Sequence, residues 1–167
     1  MADVDTFIET VMQPGVPIVQ PIIAVPFNPV VNLFLTTISG QEAAWIYRRQ
    51  IPGGQARGLW QFEQGGGCWG VLNHSASAVK ATALCQARGV AATPSAVWAA
   101  LETDDFLALG FARLLLWTDP RALPSFGQPT YMWQQYLDNW RPGKPRVESW
   151  DDRYFTSRDA MQSGGLG

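Results

Sequence analysis

At 167 residues the chain has the size of one domain that buries a real core without metals or disulfides. A formal net charge of -2 with 16% charged residues leaves no electrostatic footprint for a nucleic-acid backbone or an anionic membrane surface. A neutral polymer such as a glycan fits better: the chain has eight tryptophans, and an indole offers a sugar ring a flat apolar face and one N–H donor, although most indoles in a domain serve its core.

Cys68, Cys85 and the lone His74 do not make a structural zinc set, which wants four ligands in paired spacing, so both cysteines are expected to be reduced, the alternative being a Cys68–Cys85 disulfide if the protein works outside the cytoplasm. Met1-Ala2-Asp3-Val4-Asp5 carries acid and no base ahead of the apolar stretch, the wrong charge for a secretory leader. Residues 16–35 are apolar, but Pro17, Pro21, Pro26 and Pro29 interrupt them. The expectation is a soluble chain made in a cytoplasm without stable membrane insertion, any export coming from elsewhere.

Asp5 to Met12 reads as a short helix stopped by Pro14-Gly15, and the prolines then favour an extended, irregular path to Pro29. Residues 1–29 are thus expected to form a proline-rich extension that wraps the domain or docks onto a partner. From Val30 the periodicity is helical: Val31, Phe34, Leu35, Ile38 and Trp45 recur at three- and four-residue steps, and Glu42 falls inside that stripe. A carboxyl held among such neighbours loses hydration, which raises its pKa toward neutrality, the condition for a general acid in glycoside cleavage. The alternatives are a salt bridge from Glu42 to Arg48 or Arg49, or a side chain rotated out at the helix end.

Pro52-Gly53-Gly54 breaks this helix, and Gly58, Gly65, Gly66, Gly67 and Gly70 follow. Glycines at this density let the backbone take positive φ and approach another surface closely, and the absence of a following Lys-Ser/Thr excludes a phosphate-cradling loop. Trp60, Phe62 and Trp69 suggest a short β-hairpin walling a cleft. Ser75 to Arg88 reads as a helix ended by Gly89, with Val79, Leu84 and Ala87 inside. Thr93-Pro94 opens the next, and Thr103-Asp104-Asp105 caps a third, whose Phe106, Leu107, Phe111, Leu114, Leu115 and Trp117 place it at the centre. Gln128 to Trp140 is an aromatic helix containing Tyr131, Trp133 and Tyr136. Arg141-Pro142-Gly143-Lys144-Pro145 is a tight turn, Trp150 to Tyr154 packs back on the body, and residues 157–167 form a flexible tail. The architecture is mainly α with a small β element, one domain over 30–156.

The order of features resembles the lysozyme-like superfamily, most closely its lytic transglycosylase and goose-type lysozyme branch. That family carries a glutamate at a helix end, often Gln-Glu-Ser with an aromatic residue three further on, then Gly-Leu-Met-Gln some fifteen residues later. Here Gln41-Glu42-Ala43-Ala44-Trp45 and Gly58-Leu59-Trp60-Gln61 stand in that order and nearly that spacing. The turn after Asn139-Trp140 looks like a worn version of the family's late Tyr-Asn-Ala-Gly-Pro-Gly, with Tyr136 serving for the displaced tyrosine. Gly58 to Gly67 is also similar to sequences of tailed bacteriophages.

The resemblance implies a lysozyme-like fold and cleavage of the bond between N-acetylmuramic acid and N-acetylglucosamine in peptidoglycan, with Glu42 as general acid. Glu63 is the candidate second carboxylate, its alternative being a solvated loop residue. Gly58, Trp60, Gln61, Trp69 and Tyr136 are the candidate glycan-binding residues, with Gln61 alternatively a brace for its own loop. Ala43 stands where the transglycosylases carry serine, which leaves the product open between anhydro and hydrolytic ends. Neither a metal nor another cofactor is called for. The expected partners are glycan strands, and virion proteins through residues 1–30, with action at the wall from the periplasm or from a virion. The rival reading is a non-catalytic glycan-binding or virion structural module on the same body, and a third is a glycosidase of chitin-like polymers.

Overall fold

The computed structural model describes residues 3–167, and over these the chain is mainly helical. α1 (Asp3–Phe7), a π-helical turn (Ile8–Met12) and α2 (Gln13–Ile23) follow one another without a break. The stop predicted at Pro14-Gly15 and the extended path beyond it are therefore corrected to helix. Pro14, Pro17 and Pro21 come at helical steps; Pro17 and Pro21 lie on the exposed flank, where carbonyls left without an N–H donor face water. The π turn widens the backbone just ahead of the first ring. On the opposite flank Val4, Phe7, Ile8, Val11, Met12, Gly15, Val19 and Ile23 are buried at helical spacing. A Cβ on Gly15 would stand 2.7 Å from the Leu109 side chain, so the glycine sets how closely α2 lies on the helix bearing Leu109. From Val4 to Ile23 the segment is helical and part of the core, not an extended path laid over it.

α3 (Pro29–Ala43) starts where the Asn28 side chain accepts the Val31 N–H at 2.9 Å with Pro29 at the first helical position. Every residue from Val31 to Gln41 is buried, as is Ala43, so the apolar stripe legible in the sequence is one side of a helix enclosed all round. α3 does not continue to Trp45. Ala44 (φ 46) and Trp45 (φ 63) take the left-handed conformation, and the indole folds back over Gly40 to donate to the Thr36 carbonyl at 2.9 Å. A Cβ on Gly40 would lie 2.5 Å from that ring, which is why the position is glycine.

The predicted β-hairpin is absent: among the described residues there is no strand, only isolated bridges between Arg49 and Arg57 and between Arg57 and Phe62. The chain reverses too often there, with left-handed backbone at Gly53, Gly58 and Gln61, for a ladder to extend. The three glycines Gly65 to Gly67 enter a π turn (Gln64–Cys68) that leads into α4 (Trp69–Asn73). α5 (Ala78–Arg88) ends at Gly89 with φ 69 as predicted, but it buries Ala81, Leu84 and Cys85 and exposes Val79 and Ala87. α6 (Pro94–Ala100) is capped by Thr93, and α7 (Asp105–Trp117) by Asp104, whose carboxylate accepts from the Phe106 and Leu107 N–H groups.

α7 is buried from Leu107 to Leu114 and shares the centre with α3. α8 (Pro129–Trp140) brings the aromatic residues, and α9 (Trp150–Ser163) lies along α3. The flexible tail expected from residue 157 is instead the second half of α9, with Ser157 and Met161 buried and the Gly164 carbonyl held by Gln13 at 2.6 Å. Extension, body and tail thus merge into one core running from Val4 to Met161. No helix among the described residues is long and apolar enough to cross a membrane.

Candidate functional site at the end of the buried helix

Glu42 is the one residue between Val31 and Ala43 that is not fully buried. It sits in the last turn of α3, where unpaired carbonyls make a carboxylate unwelcome. Burial pushes its pKa from 4.5 up to about 7, while the Tyr136 hydroxyl donating to Oε1 and the charge of Arg146 pull the other way. The salt-bridge alternative is not what the chain adopts. Arg48 makes two bonds to Asp105, at 2.8 and 2.7 Å, and Arg49 pairs with Glu102.

Tyr136 reaches Glu42 from α8, and its position is fixed by ring packing. It stacks on Trp150 with centroids 5.2 Å apart and leans on Trp133 at 5.3 Å and Trp140 at 6.3 Å. Burial, and then the neighbouring Glu42, raise the phenol far above its ordinary pKa, so it remains a neutral donor. Its ring is enclosed, and only its hydroxyl serves the site directly.

Beside the acid, the buried Gln41 donates from Nε2 to the Arg146 carbonyl at 2.9 Å and accepts from Ser149 Oγ at 2.9 Å. This clamp fixes the turn after α8 against the end of α3. Sequence reasoning missed Arg146 and Ser149 as neighbours of Glu42, because no local spacing signals a contact made across more than a hundred residues. Gln41, standing next to the acid in the motif, was the one available hint.

The glycine-rich segment supports the site from the other side. Gly58 has φ 79, and a Cβ there would lie 3.0 Å from the Leu101 carbonyl oxygen, so both conformation and space demand glycine. Gln61 donates to the Gly58 carbonyl at 2.9 Å and to the Tyr47 carbonyl at 3.2 Å, which is the bracing role. Trp60 is corrected from a sugar platform to a core residue. It is 1% exposed, donates to the Leu35 carbonyl at 2.9 Å, meets Phe7 edge-on, and gives its own carbonyl to Trp140 Nε1 at 3.0 Å. Trp69 does face solvent, at 55% exposure.

Glu63 is exposed, precedes the π turn, and makes no side-chain hydrogen bond or ion pair among the described residues. Nothing ties it to Glu42. Cys68 and Cys85 are buried thiols, pushed up to about 12 and about 11 by desolvation, and belong to the core. Two surface depressions, of about 500 Å³ beside Gly127 to Gln134 and about 320 Å³ beside Arg113 and Trp117, are lined by other residues than Glu42.

The arrangement supplies one proton-holding carboxyl with a fixed orientation, a neutral donor behind it and a cation beside it. Comparison of the chain with models of known families, with curated proteins and with solved structures finds no match.

Proposed function

We propose that the chain is a peptidoglycan-cleaving glycosidase with a lysozyme-like body and Glu42 as its general acid. The observation that carries this reading is Glu42 itself: a half-buried glutamate at a buried helix end, its carboxyl oriented by Tyr136 and raised to about 7 by burial. An acid with that pKa is half protonated near neutral pH, where a general acid does most work. The substrate class rests on the resemblance of Gln41-Glu42 and Gly58-Leu59-Trp60-Gln61 to the lytic transglycosylase motifs.

In this mechanism Glu42 gives its proton to the oxygen joining N-acetylmuramic acid to N-acetylglucosamine. The C1–O bond breaks with its electron pair passing to that oxygen, and the muramic ring becomes oxocarbenium-like. Ionised Glu42, still holding the Tyr136 hydrogen bond, faces the positive ring. It then accepts the proton of the muramic C6 hydroxyl as that oxygen closes on C1, which regenerates the acid and leaves an anhydro end. The competing hydrolytic route requires a second carboxylate to activate water. Glu63, the candidate for it, is exposed and unlinked to Glu42, so we favour the single-acid route despite Ala43.

The rival reading is binding without turnover, in a wall or virion module, for which the exposed Trp69 indole is the open aromatic face, Trp60 and Tyr136 being buried. The two readings separate on a peptidoglycan suspension treated with the wild type and Glu42→Gln, with mass analysis of soluble fragments. Clearing by the wild type alone, with ends lighter by one water, supports the proposal, and reducing ends move it to the hydrolytic route. Equal clearing by both removes Glu42 as the acid, while binding without clearing by either favours the module.

A further inference from the structure

The chain's cations are not distributed evenly between paired and unpaired states. Arg48, Arg49, Arg57, Arg88, Arg121 and Arg158 each reach a carboxylate. Lys80 and the buried Arg113 donate to backbone carbonyls of the α2–α3 link. The cations without a carboxylate partner among the described residues are otherwise Arg141, whose Nε donates to the Asp138 carbonyl at 3.4 Å, and Lys144, Arg146 and Arg153, all within one stretch after α8. A chain of net charge -2 thus gathers its remaining cations without an ion-pair partner in one stretch of sequence.

Within that stretch Arg146 lies beside Glu42, and the turn that carries it is anchored at both ends. Before it, Trp140 Nε1 donates to the Trp60 carbonyl at 3.0 Å, and the Arg141 N–H donates to the Leu137 carbonyl at 3.0 Å with left-handed backbone at φ 48. After it, the Gln41 clamp holds the Arg146 carbonyl. The bond is to the backbone, so it fixes the Arg146 main chain against the end of α3 and leaves the side chain exposed. Its charge acts on both Glu42 and Tyr136. Arg153, one turn into α9, lies over the Trp45 ring at 4.9 Å, on the flank of the same helix end. Of the acids of this stretch, Glu148 lies in the 3-10 turn Val147–Ser149 that leads into α9, Asp151 and Asp152 lie in the first turn of α9, where N–H groups favour them, and no ion pair joins any of the three to the turn.

We propose that the turn from Arg141 to Arg146, with Arg146 foremost, is a carboxylate-binding subsite beside the Glu42 acid. The inference rests on the glycosidase reading for its substrate. On the muramic residue a carboxylate comes from two sources: the free lactyl group of strands stripped of peptide, or the stem peptide of intact strands, in which the lactyl group is amide-linked. A planar guanidinium accepts either by paired N–H donors, and an exposed one engages it without the cost of a buried ion pair. A naked chitin-like polymer carries no such group, so the subsite makes the enzyme discriminate against it.

The test measures equilibrium binding of peptide-bearing glycan, peptide-stripped glycan and chitin oligomers to the full chain carrying Glu42→Gln, with and without Arg146→Met or Arg146→Lys. Fragment release by the chain with Glu42 intact is followed separately. The expected result is about tenfold weaker binding for Arg146→Met on one or both carboxylate-bearing strands, largely restored by Arg146→Lys, with chitin oligomers unaffected. Loss on stripped strands alone identifies the lactyl group, and loss on intact strands alone the peptide. Unchanged binding of both, an equal loss on chitin, or no binding of any strand to the Glu42→Gln chain overturns the subsite. Because binding is read without turnover, an Arg146-dependent preference with no fragments released leaves the subsite standing and removes the glycosidase instead.

Discussion

The end of α3 and the segment from Glu63 to Trp69 are built from the same three residue types, and they differ in everything that environment controls. At the end of α3, Gly40 is pressed under the Trp45 ring, the Trp45 indole is 8% exposed and bonded, and Glu42 is held by Tyr136 with its pKa raised to about 7. In the second segment nothing lies within 4 Å of a Cβ built on Gly65, Trp69 is 55% exposed, and Glu63 has no side-chain partner among the described residues. A glutamate near a glycine and a tryptophan is therefore not a site by composition. It becomes one when packing removes its water and fixes its rotamer.

The largest expected difference between the two regions is in activity. Glu42→Gln should reduce fragment release from peptidoglycan by about 10²–10⁴-fold, the usual contribution of a positioned acid, whereas Glu63→Gln should stay within about twofold. A loss for Glu63→Gln as large as that for Glu42→Gln would restore Glu63 as a partner carboxylate and erase the contrast.

Stability against pH separates the regions next. Glu42 binds its proton more tightly folded than unfolded, so between about 4.5 and about 7 the folded state holds the extra proton and stability falls as pH rises through that window. The accumulated loss is on the order of 3 kcal/mol above pH 7, and it is absent below pH 4, where both states are protonated. Glu42→Gln removes it. Denaturant midpoints should show the variant more stable than wild type at pH 8 and level with it at pH 4, and a pH-independent difference would contradict the raised pKa.

The glycines sharpen the same contrast through packing alone. Gly40→Ala drives a methyl into the Trp45 ring and should cost about 1–3 kcal/mol in unfolding free energy. Gly65→Ala meets open space and should change stability by no more than about 0.5 kcal/mol. A smaller effect is expected from Tyr136→Phe. Its hydroxyl holds Glu42 below the value that burial alone would set, so removing it should move the alkaline limb of the cleavage profile to higher pH and lower the maximal rate by about tenfold. An unmoved limb would mean that the hydrogen bond does not act on the acid.

The helical class was legible in the sequence and the contrast between the two regions was not, for physical reasons. The mainly helical class followed from periodicity, and Thr93-Pro94 and Gly89 marked helix ends because capping is a local event. Glu42 fell on an apolar stripe for a sound reason, although the stripe belongs to a helix buried on every side and Trp45 arrives by folding back instead of by continuing the helix. The prolines misled because their effect depends on which flank they occupy: on the solvent flank of α2 they cost little, and that flank is defined only by packing. Trp60 and Trp69 were indistinguishable as letters, and tertiary contacts alone decide that one supports the core and the other faces water. The clamp from Gln41 to Arg146 joins segments far apart in the chain and left no trace in local spacing.

The claim on which the account turns is that Glu42 carries a proton near neutral pH because of where α3 places it. Selective ¹³C labelling of the glutamate side chains and titration of the carboxyl resonance that Glu42→Gln deletes reads this directly. The account predicts a midpoint of about 7, coincident with the fall in glycan cleavage as pH rises. A midpoint at the ordinary value of 4.5 would show an ionised carboxylate and contradict the general acid.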